Sequence, residues 1–174
     1  IVPRADGPRE RIMGMRLATS VERRRRIRRA VRHVELRFRS EPHAQMKLAE
    51  LADTGRGQVS FDGRWVAQLA SKYDGVTDQQ LTAMNGSHTF RFPDILNEHQ
   101  TLQRSAPPDT QVVLLRSTDY GKRTVVNGQP LWVTMAVRAD FTSEAAVQSW
   151  CAQRYPAVSG KDLKNICMPN RLAP

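Results

Sequence analysis

Apolar positions along the chain change period in an orderly way, and the periods predict its elements. Between Val21 and Phe38, the residues Ile27, Val31, Val34 and Phe38 recur every three or four positions with Ala30 beside them, the stripe of an amphipathic helix. Pro42 predicts a break, followed by a second short helix over 43–51. Asp53, Thr54, Gly55 and Gly57 read as a boundary, which puts a helical amino-terminal segment at 1–55 and the main domain at 56–174. Trp65, Ala67, Leu69 and Tyr73 then alternate with Gln68, Ala70 and Lys72, as in a strand with one buried face. After a polar stretch carrying Asp74, Gly75, Asn85 and Gly86, Pro93 opens a helix in which Ile95, Leu96, His99 and Leu102 share a side. Pro107 and Pro108 close it, and the continuous apolar run Val112, Val113, Leu114, Leu115 suits a central strand covered on both faces. Asn127-Gly128 predicts a hairpin, because both residues tolerate the positive φ of a type I′ turn.

Beyond the hairpin, Leu131, Val133, Met135 and Val137 alternate with Trp132, Thr134, Ala136 and Arg138 in a returning strand. Thr142 or Ser143 can cap a helix whose apolar side is Ala146, Val147, Trp150 and Cys151, and a turn-rich tail ends in a short strand over 166–172. The order strand, helix, strand, strand, helix, strand predicts an α+β fold of the split βαβ kind. Its antiparallel sheet has two helices packed on one face and is preceded by the basic amphipathic helix. Parity then sorts the side chains. With Leu131, Val133 and Met135 turned to the helices, Trp132, Thr134 and Arg138 face outward. With Trp65, Leu69 and Tyr73 inward, Gln68 and Lys72 face outward. An outward tryptophan among amide, hydroxyl and basic groups suits a sugar polymer, whose ring faces stack on aromatics while its hydroxyls need donors and acceptors.

Charge changes this picture at one end only. The 174 residues hold 27 Lys and Arg against 17 Asp and Glu, a net of +10. Residues 1–40 contain 13 Arg and 4 acidic groups, which leaves 14 basic and 13 acidic groups for residues 41–174. The basic character therefore belongs to the amino-terminal segment and says nothing about the ligand of the main domain. Within that segment Arg23, Arg24, Arg25, Arg26, Arg28, Arg29 and Arg32 make a candidate surface for anionic lipid headgroups or nucleic-acid phosphates. The segment lacks the apolar core and small-residue site of a secretory signal, and no apolar run reaches the roughly 18 residues of a membrane span. With 40% apolar residues the chain is not disordered as a whole.

Catalytic and metal-binding patterns are wanting. His88 and His99 lie apart, and Glu98 next to His99 on a helix points about 100° away from it, so the three do not converge on one ion. Asp62, Asp74, Asp78, Asp94 and Asp119 fall mostly in turns, where hydrogen bonds to nearby backbone explain them. No phosphate-binding glycine loop or nucleophile elbow occurs. Neither an enzyme activity nor a cofactor nor a metal is expected. Cys151 and Cys167 are close enough in sequence for a disulfide across the turn at Tyr155, Pro156, Ser159 and Gly160, with two unpaired buried thiols as the alternative.

Two stretches carry a family resemblance. Arg64-Trp65-Val66-Ala67-Gln68-Leu69-Ala70-Ser71 and the strand-to-helix unit from Leu131 through Phe141, Thr142 and Ser143 to Ala146 and Trp150 resemble a SPOR (sporulation-related repeat) domain of bacterial cell-envelope proteins. The resemblance implies a four-stranded antiparallel sheet, an extracytoplasmic location, and binding of peptidoglycan glycan strands through the open sheet face; a divergent envelope sensor fits the same residues. The ligand-binding set expected on that face is Gln68, Lys72, Arg116, Tyr120, Trp132, Thr134 and Arg138. The chain departs from the pattern in Leu69-Ala70, where the family has a glycine, and in the long connection from Lys72 to Phe92. A nucleic-acid binder is the alternative, since the same element order occurs in RNA-recognition modules and the arginine helix could supply phosphate contacts.

Overall fold

The computed structural model describes the backbone of residues 20–174 and the side chains at 22, 25, 26 and 28 and from 40 onward. The stripe Ile27, Ala30, Val31, Val34 and Phe38, with Arg23, Arg24, Arg29 and Arg32, lies outside the described side chains. Two compact units divide the chain at Arg37/Phe38, and all packing below belongs to the second.

A single helix, α1 (Ser20–Gln58), replaces the two expected, with Pro42 inside it. The second unit begins at Phe38, not near residue 56, because Ala44, Leu48 and Ala52 of α1 are buried in its core. Pro42 has no N–H to give the carbonyl four residues earlier, so the helical ladder is interrupted at the edge of this unit while the apolar stripe beyond it carries the helix onward.

The remaining elements are β1 (Arg64–Lys72), β2 (Val76–Thr77), β3 (Thr89–Phe90), α2 (Phe92–Arg104), β4 (Gln111–Arg116), β5 (Val125–Val126), β6 (Gln129–Pro130), β7 (Trp132–Val137), α3 (Glu144–Arg154), α4 (Gly160–Ile166) and β8 (Met168–Leu172). The chain is α+β, as expected. Its main sheet has the order β4-β7-β1-β8 with every neighbouring pair antiparallel. Local chemistry sets the element ends. Pro93 stands in the first turn of α2, Ser143 Oγ caps α3 by accepting from Ala146 N at 3.2 Å, and Asn127 and Gly128 turn the β5–β6 hairpin at φ of 51° and 75°. The β2–β3 hairpin and α4 were not legible in the sequence. The first is held by two residue pairs only, and the second is seven residues long.

Both faces of the sheet are apolar, and this corrects the parity reading. Trp132 and Leu114 pack with Leu48 and Ala52 of α1, Ile95 of α2 and Phe90, while Ala67, Leu69 and Ala136 pack with Val147 and Cys151 of α3. On the opposite face Val66, Val113, Leu115, Val133, Met135, Leu172 and Tyr120 form a separate cluster against Val59, Phe61, Leu131 and Val137. Trp132 and Thr134, expected outward, point to the helices, with only 7% and 2% of their surface exposed. A strand buried on both sides, as β7 is from Trp132 to Ala136, has no polar side to fix which parity faces the helices. In β1 a bulge between Gln68 and Ala70 shifts the register by one residue, so Lys72 pairs with Trp132 and shares its face.

Nor is the apolar run of β4 central; it forms a sheet edge. Helix α1 covers that edge. Asp53, Gly55 and Gln58 meet Arg116, Leu114 and Gln111 in turn, and Gly55 lies so close to the Leu114 carbonyl that a Cβ there would overlap it. At the other edge Pro169 has no N–H to offer, and the amide of Arg171, two residues on, donates to Asn170 Oδ1 at 2.7 Å.

Candidate functional site

The bulge that turns Lys72 inward leaves Gln68 and Ser71 on the face away from the helices, since their partners there are Met135 and Val133. At one end of that face the backbone of 117–131 folds over the sheet. Leu131 N donates to Ser117 Oγ, that hydroxyl donates to the Thr124 carbonyl, and Gly121 N donates to the Ala173 carbonyl at 3.0 Å beside the end of β8. Between this segment and the sheet lies a groove of about 320 Å³, at the small end of ligand sites. Gln68, Ser71 and Asn170 line its floor, with Tyr120, Lys122 and Thr124 along the wall. No carboxylate, imidazole or thiol lines it. The Tyr120 hydroxyl stays neutral, its pKa pushed up to about 12 by burial and by the nearby Asp119. Such a lining offers an aromatic wall, hydroxyl and amide groups and the cationic Lys122 and Arg171, which can hold a polar, hydroxyl-rich ligand.

The floor has a defined polarity. Arg171 N–H donates to Asn170 Oδ1, which turns the Asn170 amide nitrogen toward Gln68, and Nδ2 donates to Gln68 Oε1 at 2.8 Å. Gln68 Nε2 has no partner among the described residues.

Of the expected ligand-binding set, Gln68 and Tyr120 line this groove, although Tyr120 is largely buried. The other five lie elsewhere. Lys72 is buried, with Nζ 2.9 Å from Asp78 Oδ2, 3.8 Å from Glu98 Oε1 and 4.5 Å from the centre of the Phe90 ring. Burial tends to raise the Asp78 carboxyl, but hydrogen bonds from Lys72 and the Gln80 amide carry it below its ordinary value; burial raises Glu98 in spite of Lys72. Thr134 Oγ1 is hydrogen-bonded to His99 Nδ1 at 3.1 Å inside the core. Burial lowers the His99 pKa to about 4, so the ring is neutral near pH 7. Arg116 stacks over Trp132 and ties α1 to β4, donating to Asp53 at 2.6 Å and to the Ala49 carbonyl. Arg138 joins Asp109 and Asp140, whose carboxyls its hydrogen bonds hold below the usual range. These side chains were expected at a ligand and hold the fold together instead.

Asn170 and Ser71 are not in the ligand-binding set expected from the sequence. Their approach to Gln68 depends on the β1–β8 register and on the bulge, neither of which leaves a local pattern. Arg25, Arg26 and Arg28 are exposed on α1. Cys151 and Cys167 are joined in a disulfide, with Cα atoms 5.6 Å apart, resolving the two alternatives. Among the described residues there is no cluster of metal-ligating side chains, and no helix is long and apolar enough to cross a membrane. Compared with protein-family models, curated proteins and solved structures, the chain finds no match.

Proposed function

We propose that the chain is a noncatalytic module of the bacterial cell envelope that binds a polymeric glycan, with peptidoglycan strands as the first ligand to test. The observation that carries this reading is the groove over β1 and β8, with its tyrosine wall, its hydroxyl and amide lining and its freedom from carboxylates. The disulfide supports an extracytoplasmic setting, since such bonds persist in oxidising compartments. The glycan enters at the groove, because the rest of that sheet face is a buried apolar cluster and not an open platform.

The test is retention of the full chain on purified peptidoglycan sacculi before and after an amidase strips the stem peptides, in moderate salt. Retention that rises on the stripped glycan is expected, with about a tenfold loss for Gln68→Ala at an unchanged thermal midpoint. Trp132→Ala should instead cost about 3–5 kcal/mol of stability, as for a core aromatic. Absence of retention on either form would overturn the reading. A second reading, binding of nucleic acid or anionic lipid through α1, draws on the exposed Arg25, Arg26 and Arg28. It predicts binding to duplex DNA or anionic vesicles that falls steeply with salt and is indifferent to Gln68→Ala.

A further inference from the structure

Resting on the glycan reading, we infer that Asn170 fixes the groove's ligand class: a sugar presenting a carbonyl-type acceptor, as an N-acetyl group does, in preference to one presenting only hydroxyls. A directed chain of hydrogen bonds sets this preference. A backbone N–H can only donate, so the contact from Arg171 N identifies the Asn170 atom it meets as the oxygen, and the other end of that amide must be nitrogen. That nitrogen faces Gln68 at 2.8 Å, so the Gln68 atom it meets is the oxygen. The Gln68 amide cannot flip without setting two donors against each other, so Nε2 and both its protons are left for the groove. An oriented donor on the floor, with the Lys122 ammonium on the wall and no carboxylate in the lining, is matched by a group that only accepts. Two chemistries supply one: the carbonyl of an N-acetylated amino sugar and the carboxylate of an acidic sugar. A hydroxyl accepts more weakly, and its proton finds an acceptor on the floor only at Ser71 or at amide oxygens already engaged.

Asn170 is on this account a positioning residue, acting through Gln68. Asn170→Asp separates that role from a structural one. The new carboxylate still accepts from Arg171 N but cannot donate, so Gln68 must reverse, giving Nε2 to the carboxylate and turning Oε1 into the groove.

The experiment measures affinities of the full chain for three β-linked oligosaccharides: N-acetylglucosamine oligomers, glucose oligomers of equal length, and uronic acid oligomers. The wild type should prefer N-acetylated or acidic oligomers over glucose oligomers by about tenfold. Loss of binding with added salt marks the carboxylate as the source, and salt-independent binding marks the acetyl carbonyl. In Asn170→Asp that preference should fall to about one or invert. The ligand-free protein supplies a second readout: side-chain amide protons of Gln68 exchange freely in the wild type and become protected in Asn170→Asp. Equal wild-type affinity for all three oligomers would overturn this inference and leave the glycan reading standing. Failure to bind any glycan, sacculi included, would overturn both. An unchanged preference in Asn170→Asp, or Gln68 protons already protected in the wild type, would overturn the hydrogen-bond chain.

Discussion

The missing side chain of Gly55 decides how near α1 can come to β4. Glycine inside a helix ordinarily costs about 1 kcal/mol relative to alanine, so Gly55→Ala would stabilise an unhindered helix. Here the added methyl meets a backbone carbonyl, that of Leu114, which has no rotamer by which to give way. Overpacking of this kind costs about 1–3 kcal/mol and outweighs the helical gain. Gly55→Ala should therefore lower the thermal midpoint, and hydrogen exchange should show the loss concentrated along β4. His99 makes a second residue-level prediction. Its pKa falls from 6.5 in the unfolded chain to about 4 in the fold, so the unfolded state binds more protons between those values. The stabilisation is complete above pH 6.5 and is lost as the pH drops through 4, on the order of 3 kcal/mol in all. Glu98, raised by burial, acts in the opposite sense nearby, so the contribution is best isolated as the difference between wild type and His99→Gln in urea titrations from pH 7 to 4. A difference that does not change with pH would show the ring to be accessible to protons.

At the scale of elements, the sequence was legible wherever one side of an element meets water. The stripe of α2, the cap of α3 and the Asn127-Gly128 turn each leave a local signature, and each element stands where that signature predicts it. Strand β7 was found but turned over, since Trp132 to Ala136 are buried on either side and their apolar character does not alternate. Gly55 reads as a boundary because a helical glycine that permits close packing looks, in one dimension, like a terminator. The groove was half legible for the same reason. Gln68 stands before the bulge, where parity holds, and Lys72 stands after it, where parity is reversed. The disulfide adds what periodicity cannot, by tying α3 to the start of β8 across α4, which has no fully buried residue of its own. Closing a loop of this size contributes about 3 kcal/mol. Cys151→Ser with Cys167→Ser, or reduction of the wild type, should lower stability by that amount and speed amide exchange in α4 before β1, β4 and β7 respond. Uniform loss of protection would show that α4 and the sheet open together.

On the scale of the whole molecule, the charge of residues 1–40 and the near-neutral remainder are separate properties, so salt-dependent binding that is indifferent to Gln68 and binding that tracks Gln68 can be told apart in one preparation. The sheet has two edges and closes each by different means: a helix lies along β4, while β8 carries Pro169 and folds Asn170 back onto the amide of Arg171. Asn170 thereby belongs to two systems at once. The same amide that aims Gln68 into the groove also occupies the outward N–H through which another chain could add a strand. Selection acting on ligand preference at this position is therefore never free of selection for solubility. Variants that discard the side chain to accept new sugars would carry a tendency to self-associate, and a lineage exploring new glycans would do so more readily at Ser71 or Lys122, where the edge has no stake.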